Sequence, residues 1–302
     1  MRIEYLRYFN QLAKTLNFTQ AAKELYIAQP TLSLAVKRME DELGFQLFDR
    51  GDGSSGVKLT PMGSAFSEYT STILNAYDTG LRVAHEIQGE MDSTLRVGTI
   101  YAVQGRFWSQ AMAAFMETRK TEPKLVIEQA YSVVLRDRLR KGELDVIFGT
   151  GGTNEEFNRV LVWSQPLVLC VRKNHPLAQR KRITLSELKG LDLITYVPKS
   201  PTTPALEEEL PINEMHLHRE YDDEITMCSL VSSDVNKMAL LCYSFLVSAF
   251  DDVVALRIDG LPMDFQKVYL MSRHETHPKI VEDFIEFMSS YRFPNALEAG
   301  LR

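Results

Sequence analysis

Cysteine is scarce in this sequence, with three in 302 residues: Cys170, Cys228 and Cys242. An odd, scattered set excludes a disulfide framework and a zinc knuckle. Small buried thiols in a reducing cytosol are the expected role, with a redox-sensing pair as the lesser alternative. An excess of positive charge is also lacking, since the formal net charge is −6. Within residues 1–60, eight basic side chains (Arg2, Arg7, Lys14, Lys23, Lys37, Arg38, Arg50, Lys58) face seven acidic ones (Glu4, Glu24, Glu40, Asp41, Glu42, Asp49, Asp52), a balance of +1. The broad basic footprint of many nucleic-acid binders is therefore missing. Any DNA-binding role must rest on where charges sit.

Long apolar runs are missing too. No segment approaches the roughly 20 apolar residues of a membrane span. The opening MRIEYLRYFNQLAK alternates charged and apolar residues and lacks the core of a signal peptide. A cytoplasmic location without a membrane partner is expected. Catalytic motifs are equally sparse. There is no GxSxG. GTGGT at 149–153 has neither GxGxxG nor a P-loop lysine and reads as a turn. His274 and His277 do not form HExxH, and His216 and His218 have no cysteine nearby in the sequence. Asp222-Asp223-Glu224 reads as a solvated loop. No catalytic residue, metal or cofactor is expected.

What is present is an ordinary globular balance, 45% hydrophobic and 25% charged, long enough for two or three domains. Tyr5, Leu6, Phe9, Leu12 and Ala13 recur at helical spacing over residues 4–15. Asn17 and Thr19 can cap a second helix that turns Ala21, Ala22 and Leu25 inward. After a break at Tyr26-Ile27-Ala28, Pro30 fits the first turn of a third helix. Leu32, Val36, Met39 and Leu43 form its buried stripe, and Gly44 ends it. Its opposite face carries Gln29, Thr31, Ser33, Lys37 and Arg38. Such hydroxyls, amides and cations suit base edges and phosphates. A solvated polar face is the plainer alternative for one helix taken alone. The sequel FQLFDRGDGSSGVKLT favours the first reading: two short apolar runs flank a Gly/Ser/Asp turn, with Arg50 and Lys58 near its ends. Three helices followed by a basic-edged hairpin form a winged helix-turn-helix, which places the third helix in the major groove and the wing on the backbone.

Thr60 and Pro61 then start a long helix running to Gly89. Phe66, Tyr69, Ile73, Ala76, Gly80, Val83 and Ile87 form a heptad seam over about three repeats. Met91-Asp92-Ser93 reads as a joint. Beyond it, TLRVGTI (94–100), KLVIEQA (124–130) and ELDVIFG (143–149) read as strands of a buried parallel sheet, with helices between them. A strand-rich run covers 159–178, a short helix and strand 183–196, a strand 267–273, and a last helix about 278–291.

The segment LRYFNQLAKTLNFTQAAKELYIAQPTLSLAVKRMEDELGFQLFDR…VKLTPMG resembles the signature of LysR-type transcriptional regulators, with Phe18, Ala21, Ala22, Gln29, Pro30, Ser33, Glu40, Gly44, Arg50, Pro61 and Gly63 among the matching positions. The second half resembles the same family's effector domain at LRVG (95–98), GELDVIFG (142–149), PLVLCV…NHPLA (166–178) and ITLSELKGLDLI (183–194). The resemblance implies an α/β protein with three parts. A winged helix-turn-helix would span 1–59 and a linker helix 60–90, through which two chains pair. A two-lobed effector domain of solute-binding-protein type would span 91–302, with one lobe about 91–162 and 268–302, and the other about 163–267. The DNA-binding set it implies is Thr19, Gln29, Pro30, Thr31, Ser33, Leu34, Lys37, Arg38, Arg50 and Lys58. Ala28 and Leu34 depart from the residues the family often has there, serine and arginine.

Ligands of open α/β sheets sit beyond the carboxyl ends of strands. That rule selects Thr99, Ile100, Tyr101, Gln129, Ala130, Gly149 and Thr150 in one lobe. In the other it selects the segment 197–203, with Pro198, Ser200, Thr202 and Thr203. Hydroxyls and helix amides there suit a small co-inducer, a carboxylate or another anion. CYSFLVSAF (242–250) replaces the family's usual glycine-rich segment, a bulkier run expected either to narrow the cleft or to change what fits it. The expected partners are double-stranded promoter DNA, the small effector, RNA polymerase and further copies of the chain, as a dimer or tetramer. An enzyme with an appended binding module and an exported solute carrier are the competing readings. The first lacks a catalytic constellation, and the second lacks a leader.

Overall fold

The computed structural model describes residues 2–49, 57–88, 94–103, 105–120 and 122–293. Arg50, the wing turn through Gly56, Gly89 and the joint Met91-Asp92-Ser93 lie outside the described residues. The chain divides into two units, Met1–Asp92 with Arg140–Glu143, and Ser93–Leu139 with Leu144–Arg302.

The first unit opens with α1 (Ile3–Thr15), α2 (Phe18–Glu24) and α3 (Gln29–Leu43). Leu6, Phe9 and Leu12 recur every three residues and are buried together. Of the two candidate caps of α2, only Asn17 serves: its side chain accepts the Gln20 N–H at 3.0 Å, while Thr19 stands exposed inside the helix. Ala21 and Ala22 are buried, and their small side chains let α1 and α3 approach. Pro30 occupies the first turn of α3, and Gly44 closes it with φ of 77°. A short antiparallel hairpin follows, β1 (Phe48–Asp49) and β2 (Lys58–Leu59).

Then comes α4 (Pro61–Ile87). Thr60 caps it, accepting the Gly63 N–H at 2.9 Å and donating to the Gln46 carbonyl at 2.7 Å. Gly63 lies so close to the Leu47 carbonyl that no side chain fits there. Phe66, the first member of the expected seam, instead packs on Phe9 (centroids 5.4 Å apart) in this unit's own core. Tyr69, Ile73, Ala76, Gly80 and Ile87 remain exposed, and Val83 is half-buried.

The second unit begins with β3 (Thr94–Thr99), α5 (Arg106–Glu117), β4 (Lys124–Gln129), α6 (Ser132–Arg140), β5 (Val146–Gly149) and β6 (Asn158–Gln165). It continues through β7 (Leu167–Arg172), β8 (Arg182–Thr184), α7 (Leu185–Leu188), β9 (Asp192–Tyr196), α8 (Thr203–Glu209) and β10 (His216–Tyr221). There follow α9 (Glu224–Ser233), β11 (Met238–Cys242), α10 (Phe245–Ser248), β12 (Val253–Asp259), β13 (Gln266–Ser272) and α11 (Lys279–Ser290).

These strands form two sheets, ordered β4-β3-β5-β13-β6 and β10-β9-β11-β7-β12-β8. Neither is purely parallel as the alternating pattern predicts. The returning β13 runs antiparallel to β5 and β6, and β7 runs antiparallel to β11 and β12. Periodicity marks a strand as buried but carries no information on its direction. The chain passes between the sheets after Gln165 and again before Gln266, and these two residues are register partners. Each sheet has its own apolar core: Leu95, Val97, Phe115, Phe148 and Phe284 in one, Leu169, Cys170, Met227, Leu240 and Leu256 in the other. All three cysteines are buried and free.

Candidate DNA-binding and effector sites

On α3, Leu32, Ala35, Val36 and Met39 point into the core. Helical geometry then turns Pro30, Leu34, Lys37 and Arg38 outward on one face, with Thr31 beside them. Gln29, Pro30, Thr31, Lys37 and Arg38 are all exposed, and Ser33 is half-buried at the margin. Leu34, 50% exposed, stands at the centre of this face and makes it less polar than the cations around it suggest. The Arg38 guanidinium donates to the Tyr5 hydroxyl at 3.4 Å, which tethers it toward α1. Lys58 is exposed on β2, and Thr19 is exposed on the first turn of α2.

A residue that sequence reasoning missed holds α3 to the wing. Glu40 is 3% exposed, and its carboxylate accepts the backbone N–H groups of Leu47 and Phe48 at 2.8 and 3.1 Å. Buried amides need such partners. One of the seven acidic charges counted in residues 1–60 is thus spent inside the fold.

The second site is a cleft of about 200 Å³ in the second unit. From the first sheet it is lined by Ile100, Tyr101, Ala130 and Thr150, and from the second by Ser200 and Thr202. These six come from the segments that the strand-end rule selects. Thr99, Gln129, Gly149, Pro198 and Thr203 lie outside the lining. The Thr99 hydroxyl is buried and donates to the Ile100 carbonyl at 3.2 Å. Gln129 and Pro198 are exposed, and the Thr203 hydroxyl donates to the Val197 carbonyl at 2.9 Å.

Several lining residues carried no usable sequence signal. Ser132 starts α6, just after the segment the strand-end rule selects. Its Oγ accepts the Thr150 N–H at 3.0 Å and shares a hydrogen bond with the Thr150 hydroxyl, also at 3.0 Å. Gln165 and Gln266 reach the cleft from the two crossing strands. Gln165 Nε2 donates to the Tyr243 carbonyl at 3.1 Å. Tyr196, the last residue of β9, falls one position before the selected segment. Its buried hydroxyl donates to Glu224 Oε1 at 2.6 Å and accepts the Cys242 N–H at 2.9 Å. Burial, followed by the charges of Cys242 and Glu224, pushes the Tyr196 hydroxyl pKa well above its ordinary value. Burial likewise raises that of Glu224.

The expected solvated loop Asp222-Asp223-Glu224 instead forms part of the cleft wall. It starts α9, with Asp223 as cap, and its place depends on β10, which pairs in parallel with β9 and ends at Tyr221 just before it. In the segment that replaces the glycine-rich one, Cys242 and Leu246 line the cleft. Phe245 lies over Gly105, which has φ of 125° and whose Cβ would meet the Phe245 ring at 2.8 Å. Among the described residues no group of three His, Cys, Asp or Glu side chains could hold a metal ion. No helix among them is long and apolar enough to cross a membrane.

Family models match both halves of the chain. Residues 3–64 match the family described as bacterial regulatory helix-turn-helix protein, lysR family, and residues 88–292 match the LysR substrate binding domain. The transcriptional regulator BenM of Acinetobacter baylyi is 31% identical over 206 residues, 67% of this chain and 66% of that protein. A crystal structure of full-length CbnR with its target DNA superposes with a TM-score of 0.70 at 20% identity, covering 95% of this chain and 99% of that one. The effector binding domain of QuiR in complex with shikimate has a TM-score of 0.59 at 18% identity, covering 66% of this chain and 96% of that one.

Proposed function

We propose, since this chain belongs to the lysR family of bacterial helix-turn-helix transcriptional regulators, that α3 reads promoter DNA and that the cleft of the second unit receives the small molecule controlling it. The chain is a regulator of that family, not an enzyme. The observation that carries the DNA assignment is the outward face of α3, where Thr31, Lys37 and Arg38 are exposed while the opposite stripe is buried. Gln29, Thr31 and Ser33 reach base edges, and Lys37, Arg38 and the wing residues Arg50 and Lys58 meet phosphates. Leu34 suits a thymine methyl group rather than a phosphate.

The protein works in the cytoplasm as a dimer or tetramer, paired through the exposed side chains of α4. Pairing also offsets the weak basic charge, because two modest half-site contacts on one duplex combine by effective concentration. The effector is a small molecule with a carboxylate, held at the start of α6 by Ser132 and Thr150. QuiR with shikimate supplies a precedent for a small ligand in this kind of domain. A ligand that prefers one closure of the lobes shifts the arrangement of the winged helices on DNA and the recruitment of RNA polymerase, by no more than its preference between the two states.

Fluorescence anisotropy on the duplex upstream of the protein's own gene tests the DNA assignment. Thr31→Ala is expected to narrow the gap between specific and random DNA by about 1–3 kcal/mol. Lys37→Ala should weaken both sequences alike and reduce the slope of log K against log salt by about one. Unchanged discrimination and an unchanged slope would remove α3 from the interface.

A further inference from the structure

The effector reading leaves the charge of the cleft unexplained. Asp222, Asp223 and Glu224 line it, and no lysine, arginine or histidine does so among the described residues. Asp223 and Glu224 accept hydrogen bonds, and their donors are neutral. Asp223 accepts the Thr226 N–H and hydroxyl, each at 2.7 Å. Glu224 accepts the Tyr196 hydroxyl at 2.6 Å. The amino end of α9 offsets only about half a charge. Arg136 and Arg219 bond the carbonyls of Thr150 and Tyr196 behind the lining, so the cleft is acidic at the start of α9 and suits an anion only at its other end.

A second feature is a polar side chain that faces the cleft. The Gln266 side chain lines the cleft, is 8% exposed, and has no hydrogen-bond partner among the described residues. Its amide offers both a donor and an acceptor. A third feature is aromatic. Tyr101 and Tyr131 meet edge to face with centroids 6.1 Å apart, and both are exposed to the cleft. Tyrosine faces attract a cation within about 6 Å. Burial and the charges of Asp222 and Asp223 hold the Tyr131 hydroxyl above its ordinary pKa, so it stays a neutral donor.

We propose that the effector carries a positively charged nitrogen, seated between Asp222, Asp223 and the Tyr101–Tyr131 pair, in addition to its carboxylate. This rests on the effector reading above and makes the ligand an amino acid or a compact amino-carboxylic acid. The carboxylate lies toward Ser132 and Thr150, the ammonium toward the start of α9, and Gln266 bonds a polar group between them. Ile100, Ala130, Ile225 and Leu246 take the carbon skeleton. The cleft of about 200 Å³ limits that skeleton to one ring or a short branch, since a cavity of about 150 Å³ suffices for benzene.

The test is thermal shift followed by calorimetric titration of the full chain with three matched panels. These are the standard L-amino acids, the same acids without the amino group, and the same amines without the carboxylate. At least one amino acid should raise the melting temperature and bind about tenfold or more tighter than its deaminated partner, the range of a charge-assisted hydrogen bond. Asp222→Asn should erase most of that difference. Tyr131→Phe, which keeps the ring face, should preserve it.

A deaminated acid that binds as tightly as its amino acid would overturn the proposal and leave the effector reading standing. Binding to none of the three panels would also overturn it. The effector reading would fall as well only if a total metabolite extract also left the melting temperature unmoved.

Discussion

Glu40 shows how one side chain changes meaning between sequence and fold. Counted along the chain it subtracts from the positive charge of a DNA-binding segment. In the structure it is buried and accepts two amides that begin the wing. Removing it leaves those donors unsatisfied, so Glu40→Ala is expected to cost about 2–4 kcal/mol in urea denaturation. Asp41→Ala, at the exposed neighbouring position, should cost about 0.5 kcal/mol or less. Equal losses at the two positions would contradict this role. The residue itself is part of the matching signature, but its partners lie seven and eight positions onward. Nothing local announces them. The cap of α2 is a similar case, because Asn17 and Thr19 are both good caps and only the backbone geometry selects Asn17.

At the scale of elements, α4 divides its apolar residues between two tasks. Phe66 and Leu74 belong to the core of the first unit. Tyr69, Ile73 and Ile87 stay exposed on the helix. A stripe of exposed large side chains on one helix marks an interaction face. Ile73→Asp is therefore expected to weaken self-association by about tenfold or more in sedimentation equilibrium, as loss of a central apolar contact does. The helical spectrum of the monomer should be retained. An unchanged association constant would place the dimer contact elsewhere. The heptad pattern was legible in the sequence, and so were the cap and Pro61 at its start. Which members face inward was not, because the period of a helix does not say how many neighbours surround it.

The whole second unit is needed to make the cleft. Its walls come from the ends of β3, β4, β5 and β9, from the start of α9, and from both crossing strands. Phe245 from one sheet's helices lies over Gly105 of the other, where the backbone takes a positive φ that other residues adopt only with strain. Gly105→Ala adds that strain to a clash with the ring. It is expected to destabilise the unit by about 2 kcal/mol or more in scanning calorimetry. Adding Phe245→Leu should recover part of the loss by relieving the clash. A single mutant as stable as the parent would show that the ring is free to move aside.

Composition and spacing were sufficient for the three helices and hairpin of the first unit, the long helix, and the alternation of strands and helices over 94–196 and 267–291. Those features are local, written in periods of two and 3.6 residues and in caps, prolines and glycines. Strand direction, the burial of Glu40, the exposure of Leu34 at the centre of the α3 face and the acidic wall of the cleft needed the tertiary fold. They depend on which distant segments meet. Asp222, Asp223 and Glu224 look like any solvated run until β10, paired with β9, carries the start of α9 to the cleft, and a pocket's charge belongs to that meeting rather than to any stretch of chain.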